Sequence, residues 1–495
     1  MNLVHYLPVG ISLFAAVAHC ENNLPNILLI VSEDHGPELG CYGEPFVQTP
    51  NLDALAKAGV LFEWAYVTQS GCSPSRSSIL TGLYPHQNGH IGLATWGFRL
   101  HREDTPNLPN TLREAGYRTG IIGKLHVNPE SAFDFDFKAI PQPNFRRRDL
   151  PAYAGNAGEF IGASDEPFFL YVNYPDAHRP FLPQVDGLPE NPLTARDVKP
   201  LTYMGLDDPK IRQETADYYN SIMRLDALIG DLLDVLEESG KADNTLVIYL
   251  SDHGADLLRG KVSVYEGGLR VPLIISWPGK MQAGQVREEL VSAIDLFPTI
   301  LEATGVSVQS ELPGRSLLPL LRGEEPVWRE YLFAENHLNG LMNYNPQRVV
   351  RDSQYKLIHN LNAGTPAGTP NLAFEFVRAR GFYRELLDRV LEGDDAIAAV
   401  YRLMKNPPEF ELYDLRNDPY EFRNLGDDRG HQHILKRLKS ELSAWQQETN
   451  DPLRHPENLR MLNKEIAGAI SEKVEKSADL EWHYREYFFT SNSDN

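Results

Sequence analysis

Cys72 stands four residues before Arg76 in the stretch Ser70-Gly71-Cys72-Ser73-Pro74-Ser75-Arg76, which is followed by Leu80-Thr81-Gly82. A small nucleophile beside a fixed guanidinium, with hydroxyls around it, suits attack on an anionic centre. On local chemistry alone the stretch fits equally well a serine-rich turn, built by Gly71 and Pro74, with an incidental thiol. The other groups that could do chemistry come in pairs: Glu33/Asp34, Lys124/His126, Asp176/His178 and Asp252/His253. Glu33, Asp34 and Asp252 suit a hard divalent cation such as Ca²⁺ or Mg²⁺. Too few Cys and His residues cluster for a structural zinc site. Arg76, Lys124 and Lys261 are cations suited to a tetrahedral anion. His126 and His178 are candidates for acid/base work near neutral pH. Metal, cations and histidines around one nucleophile describe hydrolysis of a sulfate or phosphate ester.

Elements with a common pattern must position these pairs. The apolar runs 26–32, 118–122, 168–173 and 245–250 read as buried strands, and each is followed at once by one of the pairs. In open α/β sheets ligands bind beyond the carboxyl ends of the strands, so the four pairs should converge on one edge. Helical patterns fall between the strands at 49–56, 108–115, 213–239 and 290–305, and 269–277 reads as a fifth strand. Phe133 to Phe137 reads as a packed aromatic loop and Pro180 to Pro200 as an irregular excursion. From about Leu332 the texture changes. Residues 348–351, 355–361 and 410–415 read as antiparallel strands, 435–448 as a helix, and the polar tail after Glu465 as helical and then frayed. The expected fold is α/β, with a large mixed, mainly parallel sheet flanked by helices and a smaller C-terminal α+β domain. The expected division is 1–20 signal peptide, 24–340 catalytic domain and 341–495 C-terminal subdomain with a small antiparallel sheet.

Length and composition bound the rest. The 495 residues exceed one ordinary core, and 42% hydrophobic with 23% charged residues is ordinary for a soluble globular protein. A net charge of −21 disfavours nucleic acid as partner while leaving room for a focused anion pocket. Three cysteines, Cys20, Cys41 and Cys72, suggest no disulfide framework. Residues 1–20 carry no Lys, Arg, Asp or Glu, and the apolar run Leu7–Ala18 ends in Ala16-Val17-Ala18, as a secretory signal does. Export to the periplasm or the exterior is expected. No run approaches the ~18 apolar residues of a spanning helix. The basic turn Arg146-Arg147-Arg148 reads as a solvated patch or as a contact for neighbouring glycan anions.

Cys72-Ser73-Pro74-Ser75-Arg76 with Leu80-Thr81-Gly82 resembles the signature of type I, formylglycine-dependent sulfatases. Gly123-Lys124-Leu125-His126, Ser251-Asp252-His253-Gly254, the stretch from Lys261 to Pro272 and the stretch from Glu411 to Glu421 extend the likeness in the family's order over residues 24 to about 450. The resemblance implies the alkaline phosphatase-like sulfatase fold. It implies that a formylglycine-generating or sulfatase-maturating enzyme oxidises Cys72 to formylglycine, whose hydrate attacks sulfur. It implies one Ca²⁺ per active site, held by Glu33, Asp34, residue 72, Asp252 and His253. Arg76 would hold the hydrate, Lys124, Lys261 and His178 would contact the sulfate, and His126 would steer the hydrate. A sulfo-enzyme intermediate would form as the leaving group takes a proton from His178 or Lys261. Two positions depart from the family pattern, which usually has Asp at 33 and often Asn at 253.

Longer strings are similar to the heparan N-sulfatase (sulfamidase) branch. They are His86-Gln87-Asn88-Gly89, Arg118 to Lys124, Phe133-Asp134-Phe135-Asp136, Leu357 to Asn362, and Trp445 to Thr449 with Asp451-Pro452. This likeness implies a sulfated saccharide substrate, N-sulfoglucosamine of heparin- or heparan-type chains, and allows a homodimer. Candidate substrate contacts are Asp176, Arg179, His90, His337 and Arg348. The competing readings are an O-sulfatase on another sulfated sugar and a phosphodiesterase or phosphonate monoester hydrolase on the same scaffold.

Overall fold

The computed structural model describes residues 24–308, 311–363 and 371–489. The expected signal peptide at 1–20 lies outside the described residues. The strands in chain order are β1 Asn26–Ser32, β2 Val60–Phe62, β3 Ala65–Tyr66, β4 Arg118–Gly123, β5 Phe137–Ala139, β6 Phe168–Asn173, β7 Thr245–Ser251 and β8 Arg270–Val271. They continue with β9 Leu273–Ser276, β10 Gln285–Arg287, β11 Val291–Ser292, β12 Leu332–Asn336, β13 Gln347–Arg351, β14 Tyr355–Asn360 and β15 Phe410–Asp414.

The large sheet runs β10-β2-β9-β7-β1-β6-β4-β5. Its centre is parallel: β1 pairs with β6 and β7, and β4 pairs with β5 and β6. Strand β9 enters antiparallel to both β7 and β2. The sequence of β1 shows why it sits centrally. All seven of its residues are buried. Ile27, Leu29 and Val31 join one hydrophobic core, while Leu28 and Ile30 join another on the opposite face. A continuous apolar run serves a strand covered on both sides, and each such side chain contributes about 1.5–3 kcal/mol on burial.

The helix Pro209–Glu238 covers the second face, placing Ile211, Ile222, Leu225, Ile229 and Leu232 in that core. The sequence pattern alone starts this helix at 213. The earlier start follows from Asp208, whose side chain accepts from the Lys210 amide, and from Pro209 at the first helical position. A separate antiparallel sheet, β12-β13-β14-β15, carries the C-terminal region. The helix Gln432–Glu448 packs on it through Leu438, Leu442 and Trp445.

Three local expectations change. The 133–137 loop holds over 133–136, and Phe137 opens a short strand, β5, paired in parallel with β4. The strand expected at 269–277 is broken at Pro272, which has no N–H to give a ladder, into β8 and β9 in two different sheets. Between β14 and β15 the chain builds three helices, Leu372–Arg378, Tyr383–Glu392 and Ala396–Lys405, in a region the pattern left without elements. Among the described residues no helix is long and apolar enough to cross a membrane.

Candidate active site

The carboxyl ends of β1, β4, β6 and β7 point to one edge, and backbone hydrogen bonds stitch their exits together. The Glu33 amide donates to the Asp176 carbonyl at 3.0 Å, and the Asp252 amide donates to the Ser32 carbonyl at 3.0 Å. Asp34 and His126 leave their strands in the left-handed region, with φ of 53° and 58°. That turn swings both side chains off the strand direction, and conformations of this kind cluster at functional sites.

Cys72 is the first residue of the helix Cys72–Thr81 and not part of an isolated turn. Pro74 lies in the first turn, where a missing N–H costs nothing. The helix N-terminus favours negative charge at Cys72, and Arg76 lies one turn on, on the same face. The Cys72 Sγ is 3.4 Å from His253 Nε2 and 3.9 Å from Asp34 Oδ1, with the residue 2% exposed.

Arg76 is fully buried and spends its guanidinium on the strand ends. Its Nε donates to Asp252 Oδ2 at 3.0 Å, its Nη2 approaches Glu33 Oε1 at 3.4 Å, and its Nη1 donates to Asn173 Oδ1 and to the Lys124 carbonyl. Lys124 Nζ lies 2.6 Å from Glu33 Oε1, and Lys261 Nζ lies 2.7 Å from Asp34 Oδ2. His178 Nε2 is 3.7 Å from the same Asp34 oxygen, while its Nδ1 turns to the Arg179 carbonyl at 2.7 Å.

The charges are mutually dependent. Burial would raise the Asp34 carboxyl, but Lys261, His178 and His253 outweigh it and hold it below the ordinary value. Burial works against the His253 imidazolium too, yet Asp252 and Asp34 carry its pKa up to about 9. His126 falls well below the usual imidazole range, through burial first and then Lys124 and Arg76, so it is a neutral base at pH 7. Burial lowers His178, with Asp34 opposing.

A divalent cation fits this donor set. One ligand atom from each of Asp34, Cys72, Asp252 and His253 lies within 4.8 Å of all the others, and so does one from each of Glu33, Asp34, Cys72 and His178. Glu33 Oε2 is buried with no hydrogen-bond partner, which is unusual for a carboxylate oxygen unless something positive faces it. The His253 Nδ1 bond to the Gly254 carbonyl at 2.9 Å directs Nε2 at the cluster.

The structure thus brings Cys72, Arg76, Lys124, His126, His178, Lys261, Glu33, Asp34, Asp252 and His253 to one edge. Four of the five expected substrate contacts lie elsewhere. Asp176 is fully buried between Arg147 and Arg224, at 2.9 and 2.7 Å. Arg348 is shut inside with Asp451 at 2.7 Å and donates to His337 Nε2 at 3.2 Å. His90 is buried between the Gly92 carbonyl and the Asn128 amide. The polar atoms of these four are engaged by partners within the protein. Arg179 alone reaches the rim, 28% exposed, where it meets Asp256 and Glu214.

Sequence reasoning passed over Asn173 and Tyr171, whose oxygens hold Arg76. Asn173 was findable, since it ends β6 as Ser251 ends β7. Tyr171, inside an apolar run, carried no signal of its own. Asp256 was also missed. It joins Arg179 to Arg380 from the helical segment between β14 and β15.

Residues 25–306 match the family described as Sulfatase, and residues 257–366 match the one described as N-sulphoglucosamine sulphohydrolase, C-terminal. The chain is 34% identical over 488 residues to the human N-sulphoglucosamine sulphohydrolase, covering 90% of this chain and 94% of that protein. It is 29% identical over 441 residues to an ulvan-active sulfatase of Formosa agariphila, covering 87% of this chain and 81% of that one. Among solved structures, a protein in complex with its substrate D-glucosamine-2-N,6-O-disulfate superposes with a TM-score of 0.65 at 23% identity, over 86% of this chain and 98% of that chain. A phosphonate monoester hydrolase of Agrobacterium radiobacter does so with the same TM-score and identity, over 86% of this chain and 96% of that one. The likeness to these two structures is one of fold. The strand-end cluster around Cys72 and the match over most of its length place this chain in the sulfatase family, as a sulfuric ester or sulfamidate hydrolase.

Proposed function

We propose that this sulfatase removes sulfate from a sulfated glycan, and that its substrate is the N-sulfo group of glucosamine in heparin- or heparan-type saccharides. The observation that carries the reading is the meeting of Arg76, Lys124, Lys261 and His178 around Cys72 at the edge where the carboxylates gather. The extent of identity to the human N-sulphoglucosamine sulphohydrolase supports the N-sulfo assignment.

Residue 72, oxidised to formylglycine, would supply a hydrated aldehyde as nucleophile, and Ca²⁺ held by Glu33, Asp34, Asp252 and His253 would stabilise negative charge on the transferring group. The chain's own groups do the rest. Arg76 neutralises charge beside residue 72 and cannot swing away, being held by Asp252 and Asn173. Lys124 and Lys261 present ammonium groups to the sulfuryl oxygens, the preorganised electrostatics that usually dominate catalysis. His126, a neutral base, orients the attacking hydroxyl. His178 and Lys261 are the two groups able to give the leaving atom its proton, and the anionic substrate favours the protonated form of His178. We propose that the protein is exported, on the reading of residues 1–20.

Defined heparin disaccharides test the assignment. Sulfate release from N-sulfated glucosamine is expected. Release from 6-O-sulfated but not N-sulfated glucosamine overturns the N-sulfo reading. Faster turnover of an aryl phosphodiester than of an aryl sulfate overturns the sulfuryl reading altogether.

A further inference from the structure

The segment Pro141–Asp149, whose Arg146-Arg147-Arg148 reads from sequence as a solvated basic turn or a contact for glycan anions, contributes an interior element to the site. Its three arginines divide: Arg146 and Arg148 face solvent, and Arg147 is buried at 1% exposure. Arg147 donates through Nε to Asp176 Oδ1 at 2.9 Å, through Nη1 to the Phe145 carbonyl, and through Nη2 to the carbonyls of Pro175, at 3.2 Å, and His178. One guanidinium therefore joins this loop to the exit of β6, where His178 stands. The backbone enters the left-handed region at Asn144, Arg147 and Asp149, with φ of 48°, 48° and 50°. Asn144 braces the turn, accepting from the Arg148 amide at 3.0 Å and donating to the Arg148 carbonyl at 2.9 Å.

What the brace delivers is Phe145. Its ring lies parallel to the His178 imidazole, with centroids 3.9 Å apart and planes 11° from coplanar. Lys124 Nζ lies 5.2 Å from the centroid of the same ring. His178 is partly open to solvent, its side chain 20% exposed, and its ring is tethered at one atom, Nδ1, to the Arg179 carbonyl. One hydrogen bond, with Asp34 Oδ2 no nearer than 3.7 Å to Nε2, leaves the ring free to tip. A stacked aromatic removes that freedom.

We propose that Phe145, fixed by Arg147, is a positioning residue that holds the His178 imidazole so that Nε2 faces the leaving atom. The inference rests on the proton-donor role assigned above to His178. As the S–N or S–O bond breaks, its electron pair moves to the leaving nitrogen or oxygen. The proton on His178 Nε2 passes to that pair, leaving a neutral imidazole. A misaligned donor slows departure of basic leaving groups most, because weakly basic ones leave without help.

The matured enzyme with a series of aryl sulfates of graded leaving-group basicity tests this without reference to the natural sugar. In wild type, kcat/KM is expected to fall gently as the leaving group becomes more basic. In Phe145→Ala the fall steepens, with a loss of about tenfold or more for the most basic phenol and less than about threefold for 4-nitrophenyl sulfate. The loss should lie in kcat, with KM within about twofold. Phe145→Tyr should restore the shallow dependence, whereas Phe145→Leu, which fills space without stacking, should not. Arg147→Lys should show the same steepening if it folds, and the Phe145 series decides if it does not. Equal losses across the series, a change in KM alone, or a Leu variant as good as Tyr would overturn the proposal. Failure of the wild-type enzyme on N-sulfated disaccharides would sink the substrate assignment and leave this result standing.

Discussion

Arg76 Nε lies 3.0 Å from Asp252 Oδ2, and neither side chain reaches solvent. The contact ties the second turn of the Cys72 helix to the end of β7, 176 residues on. Burial works against both charges; Tyr171, Asp252 and Glu33 together hold Arg76 above its ordinary value, and His253 and Arg76 hold Asp252 below its own. A pair like this contributes little net stability relative to apolar residues, but losing one partner strands the other.

Arg76→Met should therefore cost about 3–5 kcal/mol of unfolding free energy in urea and abolish sulfate release. Arg76→Lys should recover part of the stability and little activity, because an ammonium cannot reach Asp252, Asn173 and Glu33 together. Stability unchanged in the Met variant would refute this account of the pair.

Cation removal gives a second expectation. On the proposed Ca²⁺ site, exhaustive chelation should lower the melting temperature as well as stop turnover, since the carboxylates gathered around Cys72 would repel once the cation left. Added Ca²⁺ at 100-fold its dissociation constant should return about 2.7 kcal/mol. Asp34→Asn should make the melting temperature nearly insensitive to Ca²⁺. A chelated protein that melts unchanged would remove the metal from these carboxylates.

Arg348 supplies a third, because the structure reassigns it. Arg348→Met leaves Asp451 buried beside an uncharged chain and should destabilise by about 3–5 kcal/mol. The fraction still folded should keep a KM within about twofold of wild type. A markedly raised KM in well-folded variant would return Arg348 to the substrate.

The sequence predicts best where one residue type has one use. The apolar runs of β1, β4, β6 and β7 are legible because strands covered on both faces need them, and strand ends then locate Glu33, Asp34, Lys124, His126, His178, Asp252 and His253. Arg147 and Arg348 were not legible. An arginine flanked by arginines, or placed in a strand, looks the same in sequence whether it faces water or a buried carboxylate. That choice depends on Asp176 and Asp451, which lie 29 and 103 residues away. The three helices between β14 and β15 were missed for a related reason. They are short and pack on the large domain, as Tyr401 does by donating to the Met204 carbonyl at 2.7 Å, so tertiary context decides them.

Glu38 yields a pH dependence away from the catalytic cluster. Burial raises its pKa from 4.5 to about 7, against the opposing hydrogen bond from Tyr218, whose hydroxyl donates to Oε2 at 2.7 Å. The folded state thus holds a proton that the unfolded chain has released. This contribution to stability is fully present below pH ~4.5, is lost as pH rises through about 7, and is flat above. Glu38→Gln should flatten that part of the urea stability profile between pH 5 and 8. A variant that parallels wild type across that range would show that Glu38 titrates normally.

Arg147 grips main-chain oxygens at Phe145, Pro175 and His178 and, among the described residues, one side chain, Asp176. Every residue type presents the same carbonyl. Exchanges of side chain at positions 145 and 175 therefore leave the main-chain join between the two loops intact, and what an exchange at 145 forfeits is the ring against His178, not the frame behind it.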